Sequence, residues 1–177
     1  NHGDFLRAKV LEGEDSITLI PVTEKSGSRT GNIEPHPLCE ELSYCALDLE
    51  DGVKKKKERN TLYLRLLDNW AASEFTHPKL RAVKEYVSKG TVWHDIAKVI
   101  DFPIVFKAKS VQKISAEKCF VRWRIEQQGE LETGTWEDQS LIEKWISYEA
   151  AMSPKTGFCY VTGQETRLAK FHPKFIR

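Results

Sequence analysis

The sequence lacks the long apolar runs and the paired cysteines that would assign it to a membrane-spanning or a zinc-knuckle class. No apolar stretch approaches the roughly 18–20 residues needed to span a bilayer, and none resembles the core of a secretory signal. The four cysteines, Cys39, Cys45, Cys119 and Cys159, include no C-x-x-C pair, which excludes a zinc site made of paired knuckles. Each lies among apolar residues, so we expect buried free thiols and a cytoplasmic protein.

Catalytic motifs are absent as well. The sequence contains no G-x-S-x-G, no H-E-x-x-H and no G-x-x-x-x-G-K-[ST]. His94 and Asp95 are adjacent on a predicted helix, where neighbouring side chains point about 100° apart and cannot form a base with its orienting carboxylate. No carboxylate pair stands isolated in an apolar run that would raise its pKa. We therefore expect no catalytic metal, no cofactor and no enzyme, with a metal-dependent nuclease assembled only in the fold as an alternative.

Charge is unevenly distributed along the chain. The 177 residues carry a net charge of only +1. Residues 1–50 hold 4 basic and 10 acidic side chains, whereas residues 51–177 hold 23 basic and 16 acidic ones. This asymmetry suggests one surface that faces an anionic polymer and another that faces elsewhere.

Hydrophobic periodicity predicts an α+β fold in the order β-β-α-α-α-α-β-α-β. The alternation in Phe5–Val10 and Ile17–Val22 indicates two strands joined as a hairpin, followed by a loop over residues 23–37. Leu38–Leu49 is expected to form a short helix. We divide the chain into hairpin and loop (1–37), helical group (38–102) and mixed strands and helix (103–177), together an N-terminal domain fragment.

Three amphipathic helices are predicted between residues 58 and 101. The first runs from about Glu58 to Ser73, the second starts at His77-Pro78, and the third is capped by Thr91. Trp70 and Trp93 lie in the middle of their apolar stripes, so both should be largely buried. Beyond the helices, we expect a strand over Cys119–Ile125, a turn at Gln128-Gly129-Glu130, a helix capped by Asp138 and a strand over Phe158–Val161.

Two basic segments are candidate nucleic-acid contacts. One is the run of lysines beside Arg59 and Asn60, formed by Lys54, Lys55, Lys56 and Lys57. It is either a site for sequence-independent phosphate binding or a solvated lysine loop. The other is the loop Lys25–Asn32, which is either a base-reading element or an ordinary flexible loop. It combines the ammonium group of Lys25, the hydroxyls of Ser28 and Thr30, the guanidinium of Arg29 and the amide of Asn32. Arg29 is the residue expected to bond a guanine edge or a phosphate.

A third basic group lies on the strand predicted near residue 120. Arg122 and Arg124 share one strand face with Phe120. They form either a nucleic-acid platform or, as the favoured interpretation, a salt-bridged outer face.

Four stretches of the chain together resemble the N-terminal part of the large subunit of the type I-C CRISPR surveillance complex (Cascade). The most specific joins C-x-V-T-G-[QE] to H-P-K about nine residues later. The stretches are Arg29-Thr30-Gly31-Asn32-Ile33 with Pro37-Leu38-Cys39 and Tyr44; Tyr63–Trp70 with His77-Pro78-Lys79; Phe120–Glu126 with Trp136-Glu137-Asp138; and Cys159–Glu165 with His172–Ile176. The chain departs from the family at Pro35-His36-Pro37, where an asparagine and an aromatic residue usually follow the loop proline.

The resemblance implies a non-catalytic, DNA-binding role. In such complexes guide RNA reads the target by base pairing, while the protein reads a short motif flanking it. The large subunit is expected to read that motif, to help open the duplex and to contribute to docking a separate nuclease-helicase. The implied partners are double-stranded target DNA, guide RNA and the other Cascade subunits, without a membrane. An adaptor that contacts only protein is the remaining alternative.

Overall fold

The structure is a computed structural model that describes residues 3–49, 55–107, 111–152 and 155–168. Within these ranges the helices are α1 (Glu24–Gly27), α2 (Leu42–Cys45), α3 (Lys56–Ala71), α4 (Pro78–Ser88), α5 (Val92–Ala97) and α6 (Gln139–Met152). The strands are β1 (Cys39–Glu41), β2 (Ile104–Lys107), β3 (Val111–Ile114), β4 (Phe120–Arg122), β5 (Thr156–Cys159) and β6 (Gln164–Arg167). None of the described helices combines the length and the apolar character needed to cross a membrane.

The described strands form three separate antiparallel pairs. β1 pairs with β4, β2 with β3, and β5 with β6. In the first pair Cys39 lies opposite Arg122 and Glu41 opposite Phe120, so this sheet joins the N-terminal part of the chain to a segment that follows the helical group. The combination of helices with small antiparallel strand pairs among the described residues confirms the predicted α+β class.

The core is centred on α3, which packs against α2 and α4, and α5 and α6 add further buried side chains to it. On α3 the fully buried side chains are Tyr63, Leu67 and Trp70, whose spacing places them on one helix face. The Trp70 ring lies 4.9 Å from that of Trp145 and 6.2 Å from that of Tyr148, both on α6. The predicted helix and the predicted burial of Trp70 are therefore confirmed.

Trp93 is less buried than its position in the sequence suggests. It is half-buried, and its ring packs 5.1 Å from that of Phe102. Helix α5 is only six residues long and turns Val92 and Ile96 into the core. Trp93 therefore lies beside the core-facing positions, so its predicted burial is confirmed only in part.

The predicted N-terminal hairpin is wrong. Neither Phe5–Val10 nor Ile17–Val22 belongs to a strand, and β1 is the first strand among the described residues. Phe5 stacks on Tyr86 of α4 with ring centroids 6.2 Å apart, and Lys89 donates to the carbonyl oxygen of Gly3 at 2.7 Å. Contacts with α4 thus hold the first segment, and no ladder joins it to the second among the described residues.

The predicted helix over Leu38–Leu49 is also largely wrong. Leu38 has a φ of 57°, which is incompatible with a right-handed helix. The next three residues form β1 because they pair with β4, and only Leu42–Cys45 is helical. Leu38, Leu42 and Cys45 are nevertheless all buried in the core.

Side chains cap the helices partly as predicted. Asp138 accepts from the backbone N–H of Leu141 at 3.1 Å, and His77 accepts from that of Lys79 at 3.2 Å. Thr91 does not cap α5, because its hydroxyl donates to Asp95 instead. The carboxylate of Asp48 takes over this role by accepting from the N–H groups of Trp93 and His94, at 3.0 and 2.8 Å.

A buried ion pair joins α4 to the start of α6. The side chain of Lys79 is only 2 % exposed, and its Nζ lies 2.6 Å from Oδ2 of Asp138. The same ammonium group donates to the carbonyl oxygen of Glu132 and lies 3.3 Å from the Glu130 carboxylate. Burial raises the pKa of Asp138, but hydrogen bonds from Lys79 and Ser140 outweigh it and hold the pKa at about 2.

Replacing Lys79 with methionine should lower the free energy of unfolding by about 3–5 kcal/mol, because it leaves the Asp138 carboxylate without its buried partner. Urea denaturation at neutral pH measures the change. Lys84→Met is the matched control, since Lys84 is on the same helix and pairs with Asp68 in a more exposed position. Equal losses in the two variants would contradict the importance of the buried pair.

Candidate nucleic-acid interface

A fully buried carboxylate organises the segment that precedes the helical group. Glu40, on β1, has no exposed surface. Its Oε2 accepts from the backbone N–H of His36 at 2.7 Å, and its Oε1 from that of Glu41 at 2.7 Å. A buried charge is stable only where donors surround it, so the fold must supply further donors at this position.

Arg29 supplies the further donors to the Glu40 carboxylate. Its Nη1 lies 2.6 Å from Oε2 of Glu40 and its Nη2 lies 2.9 Å from Oε1, a bidentate pair. Nη1 also donates to the carbonyl oxygen of Glu34 at 2.7 Å. The Arg29 side chain is only 18 % exposed. Its guanidinium is thus committed to the interior of the protein.

The loop that carries Arg29 is held at its first turn. Thr23 and Ser26 form a reciprocal capping box around α1, and Ser26 is buried. Nδ1 of His36 lies 2.9 Å from Oγ of Ser26. Residues 23–37, predicted as a plain loop, therefore contain a capped helical turn that is tied through His36 to the Glu40 carboxylate.

Tyr44 brings the two predicted basic segments together. The guanidinium carbon of Arg29 lies 5.3 Å from the centre of the Tyr44 ring, and that of Arg59 lies 5.0 Å from it. Arg59 also donates to Oγ of Ser43 at 2.6 Å. The loop and the start of α3 thus share one anchor, although thirty residues of sequence separate the two arginines.

Asn60 strengthens the same junction. It is buried, and its side-chain nitrogen donates to the carbonyl oxygens of Tyr44 at 2.9 Å and of Cys45 at 3.4 Å. Like Arg29 and Arg59, it has internal partners. These three candidate site residues hold the surface in place.

Other candidate residues lie at the surface. In the loop these are Lys25, Thr30 and Asn32, and at the start of α3 they are Lys55 and Lys57. We call these five residues the anchored basic face.

The remaining candidates are placed differently. Ser28 is half-buried and its hydroxyl donates to the carbonyl oxygen of Glu24 at 3.0 Å, while Lys56 donates to that of Leu49. Lys54 lies outside the described residues.

Sequence reasoning missed Glu40, Tyr44 and Asp48. A signal for Glu40 was present, because it follows Leu38-Cys39 and closely precedes Leu42, and a carboxylate in an apolar surrounding often has a buried partner. Nothing in the sequence paired it with Arg29. That pairing depends on how the loop folds back onto β1.

Arg122 of β4 and the nearby Arg124 form a separate cluster. The guanidinium of Arg122 lies 3.7 Å from the centre of the Trp136 ring, and that of Arg124 lies 4.8 Å from it. Arg124 also approaches Glu137 at 3.5 Å and donates to Thr133 at 2.8 Å. These contacts favour the salt-bridged face over the nucleic-acid platform.

Metal-binding geometry is not found in the part of the chain that the structure describes: no three His, Cys, Asp or Glu side chains converge there. The cysteines are unpaired, with Cys39 and Cys45 buried and Cys119 and Cys159 half-buried. Burial raises the pKa of the Cys39 thiol to about 11, so this thiol stays protonated at neutral pH.

The buried His36 should make stability depend on pH. Burial, reinforced by the positive charge of Arg29, lowers the pKa of His36 below its ordinary 6.5. As the pH falls, the unfolded state takes up the proton before the folded state does. The contribution of neutral His36 to the free energy of unfolding should therefore be fully present above about pH 6.5, and it should be lost as the pH falls through the lowered pKa of the folded state. Burial lowers the pKa of His77 as well, so His77 should add to the slope. Urea denaturation between about pH 7.5 and 5 measures it.

The variant His36→Gln should flatten this dependence, since glutamine can keep a hydrogen bond to Ser26 without titrating. Replacing the exposed His94 in the same way is the control and should leave the slope unchanged. A His36→Gln protein with the slope of the unaltered chain would contradict the assignment.

Comparison with known proteins identifies the family. The family model Cas_Csd1, described as a CRISPR-associated protein, matches residues 1–177, the whole sequence. Neither the curated proteins nor the solved structures include a match. The match confirms the resemblance to the type I-C large subunit that was seen in the four sequence stretches. The chain belongs to the Cas_Csd1 family of CRISPR-associated proteins.

Proposed function

We propose that this chain is a non-catalytic DNA-binding part of an RNA-guided CRISPR complex, and that its anchored basic face contacts the duplex that flanks the target. The observation that supports the proposal is the shared anchor: the guanidinium groups of Arg29 and Arg59 lie 5.3 Å and 5.0 Å from the centre of the Tyr44 ring, so both basic segments are tethered to one residue. Family membership supports a role in a CRISPR complex.

The chemistry of the anchored basic face suits a DNA backbone. Lys55 and Lys57 are exposed ammonium groups that lie close together in the sequence at the start of α3. Lysine acts as a hydrated point charge that neutralises phosphates without selecting bases. Across the Tyr44 anchor, Thr30 and Asn32 add an exposed hydroxyl and an exposed amide. Such groups bond phosphates or base edges, so they are the members that could read the flanking motif.

The proposal assigns Arg29 a positioning role. Both terminal nitrogens of its guanidinium already bond Glu40, and breaking this pair to reach a base would leave a buried carboxylate uncompensated. The proposal extends to the assembly: guide RNA, the other Cascade subunits and a separate nuclease-helicase are its expected partners, and opening of the duplex is the expected consequence. It places the protein in the cytoplasm, where free buried thiols are stable.

The double variant Lys55→Ala/Lys57→Ala tests the phosphate contacts. It should weaken binding about equally for all duplex sequences and should reduce the salt slope of the binding constant by about 0.9 for each phosphate that the variant no longer neutralises. Fluorescence anisotropy on labelled duplexes with and without the candidate flanking motif, at several salt concentrations, measures both quantities.

The matched control for this experiment is Lys144→Ala/Lys155→Ala, which removes two exposed lysines from other elements. It should leave the slope unchanged. Equal salt slopes for the two double variants would indicate that the lysines at the start of α3 only keep the surface soluble. Binding that is absent at every salt concentration would favour the protein-only adaptor, and metal-dependent cleavage of the duplex would favour the nuclease.

Asn32 and Arg29 should respond differently to substitution. Asn32→Ala should cost about 1–3 kcal/mol of binding, only on duplexes that carry the flanking motif, if its amide reads a base edge. Arg29→Ala should weaken binding to every duplex and also lower the melting temperature, since it leaves the buried Glu40 carboxylate without its ion-pair partner. A motif-dependent loss in Arg29→Ala with an unchanged melting temperature would instead assign base reading to Arg29.

A further inference from the structure

The segment Ile17–Val22 has the composition of a strand but no strand partner. Its sequence, Ile-Thr-Leu-Ile-Pro-Val, is rich in β-branched and aliphatic residues. It runs without helix, turn or bend between the 3₁₀ turn at Gly13–Ser16 and α1. Among the described residues, no backbone hydrogen bond joins positions 18–22 to any other segment. The segment therefore has backbone groups without a backbone partner among the described residues, and it has side chains that favour a strand.

The aliphatic side chains of this segment are exposed to an unusual degree. Ile17 is 74 % exposed and Leu19 65 %. Ile20 and Val22, on the alternate positions, are 39 % and 45 % exposed. Four exposed aliphatic residues within six form a concentrated apolar surface rather than the scattered exposure that is normal for a soluble protein.

Both ends of the segment are fixed. The guanidinium of Arg122 on β4 donates to the carbonyl oxygens of Asp15 at 2.5 Å and of Ile17 at 2.8 Å. At the other end, the capping box of α1 holds Thr23 in extended backbone. A segment that is tethered at both ends and unpaired between them has already lost much of the entropy that a binding partner would otherwise have to remove.

The two edges of the segment are not equivalent. In a strand the N–H and C=O groups of alternate residues point to the same edge. The edge of Ile17, Leu19 and Pro21 is occupied by Arg122 at one end and lacks an N–H at the proline. On the opposite edge, formed by Thr18, Ile20 and Val22, no backbone donor or acceptor bonds the backbone of another described residue.

We propose that an extended segment of another protein subunit of the CRISPR complex adds to this open edge as a β-strand. Strand addition supplies the missing backbone hydrogen bonds, while alternate aliphatic side chains of the partner cover those of the segment. Exposed carboxylates at Glu12, Glu14 and Asp15 precede the segment. They disfavour nucleic acid at this surface and select a partner strand with basic flanking residues. The proposal goes beyond DNA contact, because it assigns this segment to assembly with a protein partner.

A proline substitution on each edge tests the proposal. Ile20→Pro removes a donor from the open edge, whereas Leu19→Pro removes one from the edge that Arg122 occupies. Both positions lie in the same exposed, unpaired segment, so neither variant should change the melting temperature of the isolated chain. The measurement is the fraction of the chain that co-purifies by size exclusion with the co-expressed protein subunits of its own CRISPR system. Ile20→Pro should lower this fraction about tenfold and Leu19→Pro should not, because only the former removes a ladder bond and introduces a clash.

Residue-resolved amide hydrogen exchange provides a second measurement. The amides of Thr18, Ile20 and Val22 should become protected in the assembled complex and stay unprotected in the isolated chain. Equal effects of the two prolines on incorporation, or unchanged exchange on assembly, would overturn the proposal. So would a concentration-dependent doubling of mass for the isolated chain, which would make a second copy the occupant, or a cross-link from this segment to guide RNA.

Duplex binding by the isolated variants separates this inference from the proposed function. Ile20→Pro and Leu19→Pro should both bind labelled duplex as the unaltered chain does. A selective loss of duplex binding in Ile20→Pro would assign the segment to the DNA-contacting surface and overturn strand addition. If the unaltered chain binds no duplex, incorporation and exchange still test the segment, because neither depends on binding of the isolated chain to DNA.

Discussion

The buried carboxylate of Glu40 is the constraint on which the N-terminal half of this protein depends. A carboxylate without exposed surface has to be surrounded by donors, and the fold supplies them from the Arg29 fork and from the backbone N–H groups of His36 and Glu41. Meeting that requirement folds residues 23–37 back onto β1. Tyr44 follows Glu40 by four residues, so the ion pair between Arg29 and Glu40 also fixes the position of the Tyr44 ring. Arg59 of α3 packs against that ring.

The same constraint separates the basic residues into internal and external groups. The guanidinium fork matches a carboxylate geometrically and is weakly hydrated, which suits Arg29 and Arg59 to partly buried ion pairs and ring contacts. Ammonium groups are strongly hydrated, and Lys55 and Lys57 accordingly stay at the surface. Lys79 is the exception, and it is buried only because Asp138 and two further oxygen partners surround it. Partly buried arginines that position exposed lysines support the proposed contact with a phosphate backbone rather than reading of individual bases.

This domain presents two surfaces that suit a binding partner. The anchored basic face exposes ammonium groups that suit an anionic partner, while no backbone hydrogen bond joins positions 18–22 to another described segment. The two differ in chemistry, since exposed carboxylates precede the unpaired segment whereas ammonium groups begin α3. Such a division suits the proposed role, in which one surface contacts DNA and another contacts protein.

The sequence by itself determined the elements whose signals are local. Helices α3 and α4, the Asp138 cap and the burial of Trp70 all follow from spacing within one turn or one stripe, and the family resemblance follows from short motifs. The tertiary structure decided the rest. Whether Ile17–Val22 pairs, whether Leu38 starts a strand or a helix, and whether Arg29 faces DNA or Glu40 each depend on contacts between distant segments. Such contacts are set by burial and charge pairing in three dimensions, which local periodicity does not encode.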